Sequence, residues 1–184
     1  VYGLMDIMGG KDAFAAKLDS MFTENRYWHG NEPCHQIAFM FNYVGQPWKT
    51  VDAVRHIMDT EYIDAPGGLS GNDDAGQMSA WYMFAAIGFY PVCPGSEYYI
   101  LSAPTFPEVE FRLENGKTFV ISAPGVSDKN RYIKSVKLNG SDYTLNYISH
   151  SDIMNGGIIE FEMSDVPQNT WGTERTDCPP DLMK

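Results

Sequence analysis

The chain has 184 residues, 43% of them hydrophobic, and a formal net charge of −11. That charge leaves no basic face for a nucleic-acid backbone, no apolar run reaches the ~18 residues of a membrane span, and the apolar share is too high for a disordered tail. Cys34, Cys93 and Cys178 lie far apart with no CxxC pair, which excludes a zinc ribbon or thioredoxin-like motif and makes buried thiols the ordinary reading.

The first half reads as helices. Gly9-Gly10 precedes Phe14, Leu18, Met21 and Phe22, spaced as one stripe of an amphipathic helix. Pro33 suits the first turn of a second helix, where its missing N–H is harmless. Ile37, Phe39, Met40, Phe41 and Tyr43 make that helix apolar on more than one side, and Gly45-Gln46-Pro47 breaks it. Thr50 is the expected N-cap of a third helix with Val51, Val54, Ile57 and Met58 on its inner face. A glycine-rich loop then runs from about Asp64 to Gly76. A fourth helix carries Met78, Trp81, Tyr82 and Ala85 and stops at Gly88, a residue suited to the position after a helix.

From Pro91 the pattern changes. Pro91-Val92-Cys93-Pro94-Gly95 has the composition of a linker. Strands are expected at Tyr98–Ser102, Val109–Leu113, Thr118–Ala123 and Tyr132–Leu138. Asn139-Gly140 signals a type I′ hairpin between Tyr132–Leu138 and Tyr143–Ile148. Gly156-Gly157 leads into a strand at Ile158–Met163, and the final residues, with Pro179-Pro180, read as irregular. The expectation is an α+β chain, helical over residues 1–90 and β-rich over residues 91–184, the second half sandwich-like.

Two polar clusters stand out. In Gly71-Asn72-Asp73-Asp74-Ala75-Gly76, adjacent carboxylates sit on a loop at the mouth of the fourth helix. Their side chains point apart, so one can face a substrate while the other holds the helix N-terminus. The plain alternative is that one of Asn72, Asp73 and Asp74 is only a cap. The loop is no EF-hand, lacking its Asp spacing and closing Glu. In His29-Gly30-Asn31-Glu32-Pro33-Cys34-His35, a carbonyl, a carboxylate and an imidazole gather at a second helix mouth. Hard oxygens there suit Ca²⁺, with capping by Asn31 and Glu32 as the plain alternative. His29 and His35 are candidates to bond sugar hydroxyls, though a lone histidine is more often structural. Trp28 and Trp81 are candidates to stack on a pyranose, and Trp81 reads as core.

These motifs, together with Tyr43-Val44-Gly45-Gln46-Pro47-Trp48, Gln77-Met78-Ser79-Ala80-Trp81-Tyr82, Gly88-Phe89-Tyr90-Pro91 and the late Trp171-Gly172, resemble glycoside hydrolase family 92, the calcium-dependent inverting exo-α-mannosidases. The resemblance covers nearly the whole chain in motif order. It implies the last part of an (α/α)6 toroid followed by β-sandwich material. It implies that Asp74 is the general base, supported by Asp73 or Asn72. It also implies that Asn31, Glu32 and His35 surround a Ca²⁺ ion gripping mannose hydroxyls, and that His29, Glu32, His35 and Asn72 contact substrate. Inversion needs carboxyls ~6.5–9.5 Å apart to admit a water. The family's general acid belongs to a motif upstream of Val1. The chain, which opens without an initiator methionine, is therefore expected to be part of a longer enzyme and inactive alone. Its partners are a mannose-containing glycan and the N-terminal part of the same protein, and the parent is expected to be secreted or periplasmic. A non-catalytic carbohydrate-binding module and a helical-toroid glycosidase of another family are the competing readings. Asn139-Gly140-Ser141 also matches a glycosylation acceptor, but reads first as a turn.

Overall fold

The structure is a computed structural model and describes residues 1–182. Four helices come first: α1 (Tyr2–Ile7), α2 (Lys11–Thr23), α3 (Pro47–Thr60) and α4 (Gln77–Ile87), with 3-10 segments at Glu32–Cys34 and Ile37–Val44. Strands follow: β1 (Phe89–Tyr90), β2 (Tyr98–Leu101), β3 (Glu108–Arg112), β4 (Thr118–Ser122), β5 (Tyr132–Leu138), β6 (Ser141–Asp142), β7 (Tyr147–Ser149) and β8 (Gly157–Ser164), with helix α5 (His150–Met154) between the last two. This is the expected α+β order. The stripes behave as their spacing predicts: α2 buries Phe14 and Leu18, and α3 buries Val51, Val54, Ile57 and Met58. Helix α4 stops where Gly88 turns left-handed at φ 105°, a conformation that a Cβ opposes.

Two expectations fail locally. The second helix is not an α-helix but two 3-10 segments. The carbonyl of His35 accepts from Trp81 Nε1 at 2.9 Å, and the amide of Phe39 turns instead to the carbonyl of Gln36. A tertiary bond thus takes the acceptor that an α-turn would use. Thr50 is not an N-cap either. Helix α3 begins at Pro47, the residue whose missing N–H suits a first turn. Thr50 is buried inside it, and its hydroxyl donates to Asn42 Oδ1 at 2.6 Å.

The strands form two sheets, β1-β2-β7 and β3-β4-β8-β5-β6, the second mixed because β4 and β8 run parallel. Asn139 and Gly140, at φ 51° and 81°, make the expected tight turn between β5 and β6. Its returning strand is only Ser141–Asp142. The chain then leaves, and Tyr147–Ser149 pairs with β2 in the other sheet, so Tyr143–Ile148 is not the far arm of that hairpin.

Two cores result. Phe14, Leu18, Phe39, Ile57 and Trp81 pack with Tyr90 and Ile100. Phe119, Ile121, Val136, Ile159 and Phe161 pack with Val51 of α3 and Trp171. Each core draws residues from both sides of the helical-to-β transition. Between them lies a buried polar seam. Asn42 Nδ2 donates to the carbonyls of Leu101 (2.9 Å) and Asn146 (2.8 Å). Asn146 Nδ2 answers to the carbonyls of Asn42 (3.0 Å) and Gly172 (2.7 Å). Buried amides need such partners, and these tie helix, sheet and C-terminal segment together.

Candidate active site

Two loops meet at the mouth of α4. They touch backbone to backbone: a Cβ on Gly71 would collide with the Gly30 carbonyl, and one on Gly30 with the Ser70 carbonyl and the Trp28 ring. Glycine is required on both sides of that contact.

Beneath the contact lies a lattice of neutral rings. His29 is 0% exposed and His35 1%, and their rings stack at 4.5 Å. Tyr62 OH donates to the Met78 carbonyl at 3.0 Å, so at 2.6 Å from His29 Nε2 it accepts. His29 therefore carries its proton on Nε2, and Nδ1 accepts from Tyr27 OH at 2.7 Å. His35 follows the same logic. Its Nε2–H donates to the His29 carbonyl at 3.0 Å, leaving Nδ1 to accept from Gln77 Nε2 at 3.3 Å. Burial pushes the His29 pKa down to about 3, with His35 adding to the effect. Burial also lowers that of His35, against the opposing pull of its bond to His29 and the charges of Glu32 and Asp74. The hydroxyls of Tyr27 and Tyr62 are pushed up, first of all by burial. Trp81, 0% exposed, stands edge-on to His29 at 4.3 Å.

The carboxylates sit at the rim. Asp73 Oδ1 accepts from Ser79 N and Ser79 Oγ, each at 2.9 Å, and its carbonyl accepts from the amides of Gly76 and Met78. Gly76, the N-cap, has no side chain to offer. Asp73 thus does the capping work from outside the helix. Asp74, Ala75 and Gly76 follow in left-handed conformations at φ 48°, 58° and 98°, and Asp74 is exposed. A left-handed non-glycine is uncommon, and two in succession mark a conformation fixed by its surroundings.

Asn72 is exposed on the same loop, and Asn31 and Glu32 are exposed on the other. Glu32 lines a cleft of about 510 Å³ together with Gln36, Gln77 and Tyr90. The structure therefore brings Glu32 and Asp74 each within electrostatic reach of His35. It places His29 and His35 behind them with all four ring nitrogens engaged. Sequence reasoning passed over Gln77, Tyr27, Tyr62 and Tyr90. Gln77 was within view, adjoining the acidic loop. The tyrosines carry no local signal, because their roles depend on distant partners.

Residues 1–165 match the profile of the Glycosyl hydrolase family 92 catalytic domain. An uncharacterized secreted glycosidase of Arthroderma benhamiae is 33% identical over 182 residues, 97% of this chain and 23% of that protein. Among solved structures, a family GH92 α-mannosidase from Bacteroides thetaiotaomicron superposes with a TM-score of 0.88 at 42% identity, covering 94% of this chain and 24% of that one. A family GH92 inverting mannosidase from the same organism superposes with a TM-score of 0.92 at 36% identity, covering 100% and 28%. The chain belongs to glycosyl hydrolase family 92. It spans about a quarter of the length of these relatives.

Proposed function

We propose that this chain is the C-terminal part of an inverting exo-α-mannosidase that hydrolyses terminal α-mannosides of glycans. Residues 1–90 supply the last helices of an (α/α)6 catalytic toroid, and residues 91–184 supply the β support. Asp74 is the general base: it takes a proton from the water that attacks the anomeric carbon. A general acid from the opposite side of the sugar protonates the leaving oxygen. The observation that carries this reading is the division of labour in the acidic pair, Asp73 locked to Ser79 while Asp74 stands exposed at the rim. Asp73 serves the chemistry by holding the loop. Glu32, lining the cleft, and Asn72, exposed on the neighbouring loop, are the sugar contacts. His29 and His35 offer a sugar no free ring nitrogen and act from behind.

Asn31 and Glu32 present exposed side-chain oxygens with no hydrogen bond among the described residues, which suits Ca²⁺, a hard cation. His35 does not fit, because Nε2 holds a carbonyl and Nδ1 faces an amide donor. No group of three or more His, Cys, Asp or Glu gathers for a metal among the described residues. Asn31 and Glu32 therefore form part of a shell of ~6–8 oxygens completed by the sugar, water and the upstream chain. When bound, the cation would grip vicinal sugar hydroxyls.

The general acid lies upstream, so these 184 residues alone do not turn over substrate. Export of the parent matches its secreted relative, and no described helix is long and apolar enough to cross a membrane.

The decisive experiment is Asp74→Asn in the full-length parent, assayed on a terminal α-mannoside. Loss of a general base costs ~10²–10⁴ in kcat, and we expect about 10³ with KM and the melting temperature nearly unchanged. Undiminished turnover removes Asp74 from the mechanism.

A further inference from the structure

At the mouth of α4, Gln77 reaches both loops and the sheet, the first loop through its main chain and the rest through its side chain. Its main-chain N–H reaches the Asp74 carbonyl at 3.3 Å. Its side-chain Nε2 has two hydrogens and two acceptors, His35 Nδ1 at 3.3 Å and Tyr90 OH at 3.0 Å. The lattice below explains why His35 Nδ1 is an acceptor. His35 has already placed its proton on Nε2, facing the His29 carbonyl, and a neutral imidazole then offers only a lone pair at Nδ1. His29 is fixed in turn by Tyr27 and Tyr62, and Tyr62 closes the circuit on the Met78 carbonyl, one residue past Gln77.

We propose that Gln77 is the positioning residue of this site: its amide donor clamps the loop of Asp74 to the loop of Glu32 through His35 and so sets the gap between their carboxylates. The inference rests on the mannosidase reading for its kinetic consequence, but not for the clamp itself. Gln77 acts through His35 and Asp74 and is not the base. A donor fits at this point, whereas an acceptor of the same shape would require His35 to take up a proton against its burial, because the neutral Nδ1 has no hydrogen to give. That requirement separates positioning from mere filling of space.

Two variants of the full-length parent test it. Gln77→Leu removes the polar end, while Gln77→Glu keeps the shape and removes the donor. Both are expected to lower kcat about 10–100-fold, the scale of a displacement near 1 Å at reacting groups. KM should change less than about threefold, and folded protein should persist in thermal melts. Full kcat in Gln77→Glu would overturn the proposal, as would a loss explained wholly by a smaller folded fraction. A second readout needs no substrate. With ¹⁵N-labelled histidine in the parent, and His35 assigned through His35→Gln, the wild-type ring should show a protonated Nε2 and a hydrogen-bonded Nδ1. Both Gln77 variants should move the Nδ1 resonance. An unmoved resonance rules out the clamp whatever the enzyme hydrolyses. A moved resonance in a parent without mannosidase activity leaves the clamp standing and sinks only the substrate assignment.

Discussion

Among the described residues, the helical half buries His29, His35, Asn42 and Thr50, whereas the β half buries only Ser102 and Asn146 as polar side chains. The larger sheet packs Phe119, Ile121, Val136, Ile159 and Phe161 against one another, while the helical core folds around two imidazoles and an indole. The difference teaches where chemistry can be built. Apolar packing is non-directional and tolerates small shifts. Buried hydrogen-bonding rings fix direction as well as distance, at the cost of needing every partner in place. The β half contributes stability, and through Asn146 it holds the helical half in register.

This contrast can be broken from either side. Phe119→Ala should cost the most stability, ~3–5 kcal/mol as expected for a large core truncation, read as a shift of the urea midpoint. Its kcat per folded molecule should stay at the wild-type value; a fall in kcat would show that the sheet does more than support. Asn42→Ala should cost ~2–4 kcal/mol, since it strips donors from two buried carbonyls and strands the Thr50 hydroxyl. Fluorescence and circular dichroism should still report one transition through residues 1–182 in the intact parent. Separate transitions for the helical and β stretches would show that the seam does not couple them.

The smallest effect concerns pH. His29 titrates near 3 when folded, against an ordinary value of 6.5. The unfolded chain therefore takes up a proton that the folded one refuses as the pH falls below 6.5. Stability from this group is intact above 6.5 and is lost on acidification toward about 3, with a slope of up to ~1.4 kcal/mol per pH unit. Urea midpoints compared between about pH 7 and about pH 5 should fall less steeply in His29→Gln than in wild type. Parallel slopes would mean that the imidazole is charged in the fold.

Much of the architecture was legible because it depends on local rules. The stripes of α2 and α3, the glycine after α4 and the Asn139-Gly140 turn all follow from spacing or from backbone freedom. What escaped was set at long range. Ile37–Val44 is apolar nearly all round, so its pattern names no helical period, and a Trp81 indole 46 residues away along the chain decides its hydrogen bonding. Thr50 has the chemistry of a cap, but Pro47 had already opened the helix and Asn42 claimed the hydroxyl. At the site, the two polar clusters were legible, as was their belonging to one site, but the backbone contact that joins them was not. In the sequence Gly30 and Gly71 are only members of two separate clusters, whereas the fold uses them as the two sides of one contact.

That glycine-on-glycine contact has a practical consequence for anyone redesigning the enzyme. Diversity cannot be introduced at either position, since even a methyl group would wedge the loops apart and carry the acids with them. Room for variation lies instead on the walls of the neighbouring cleft, at places such as Gln36 and Val92, where a changed side chain would leave that contact untouched.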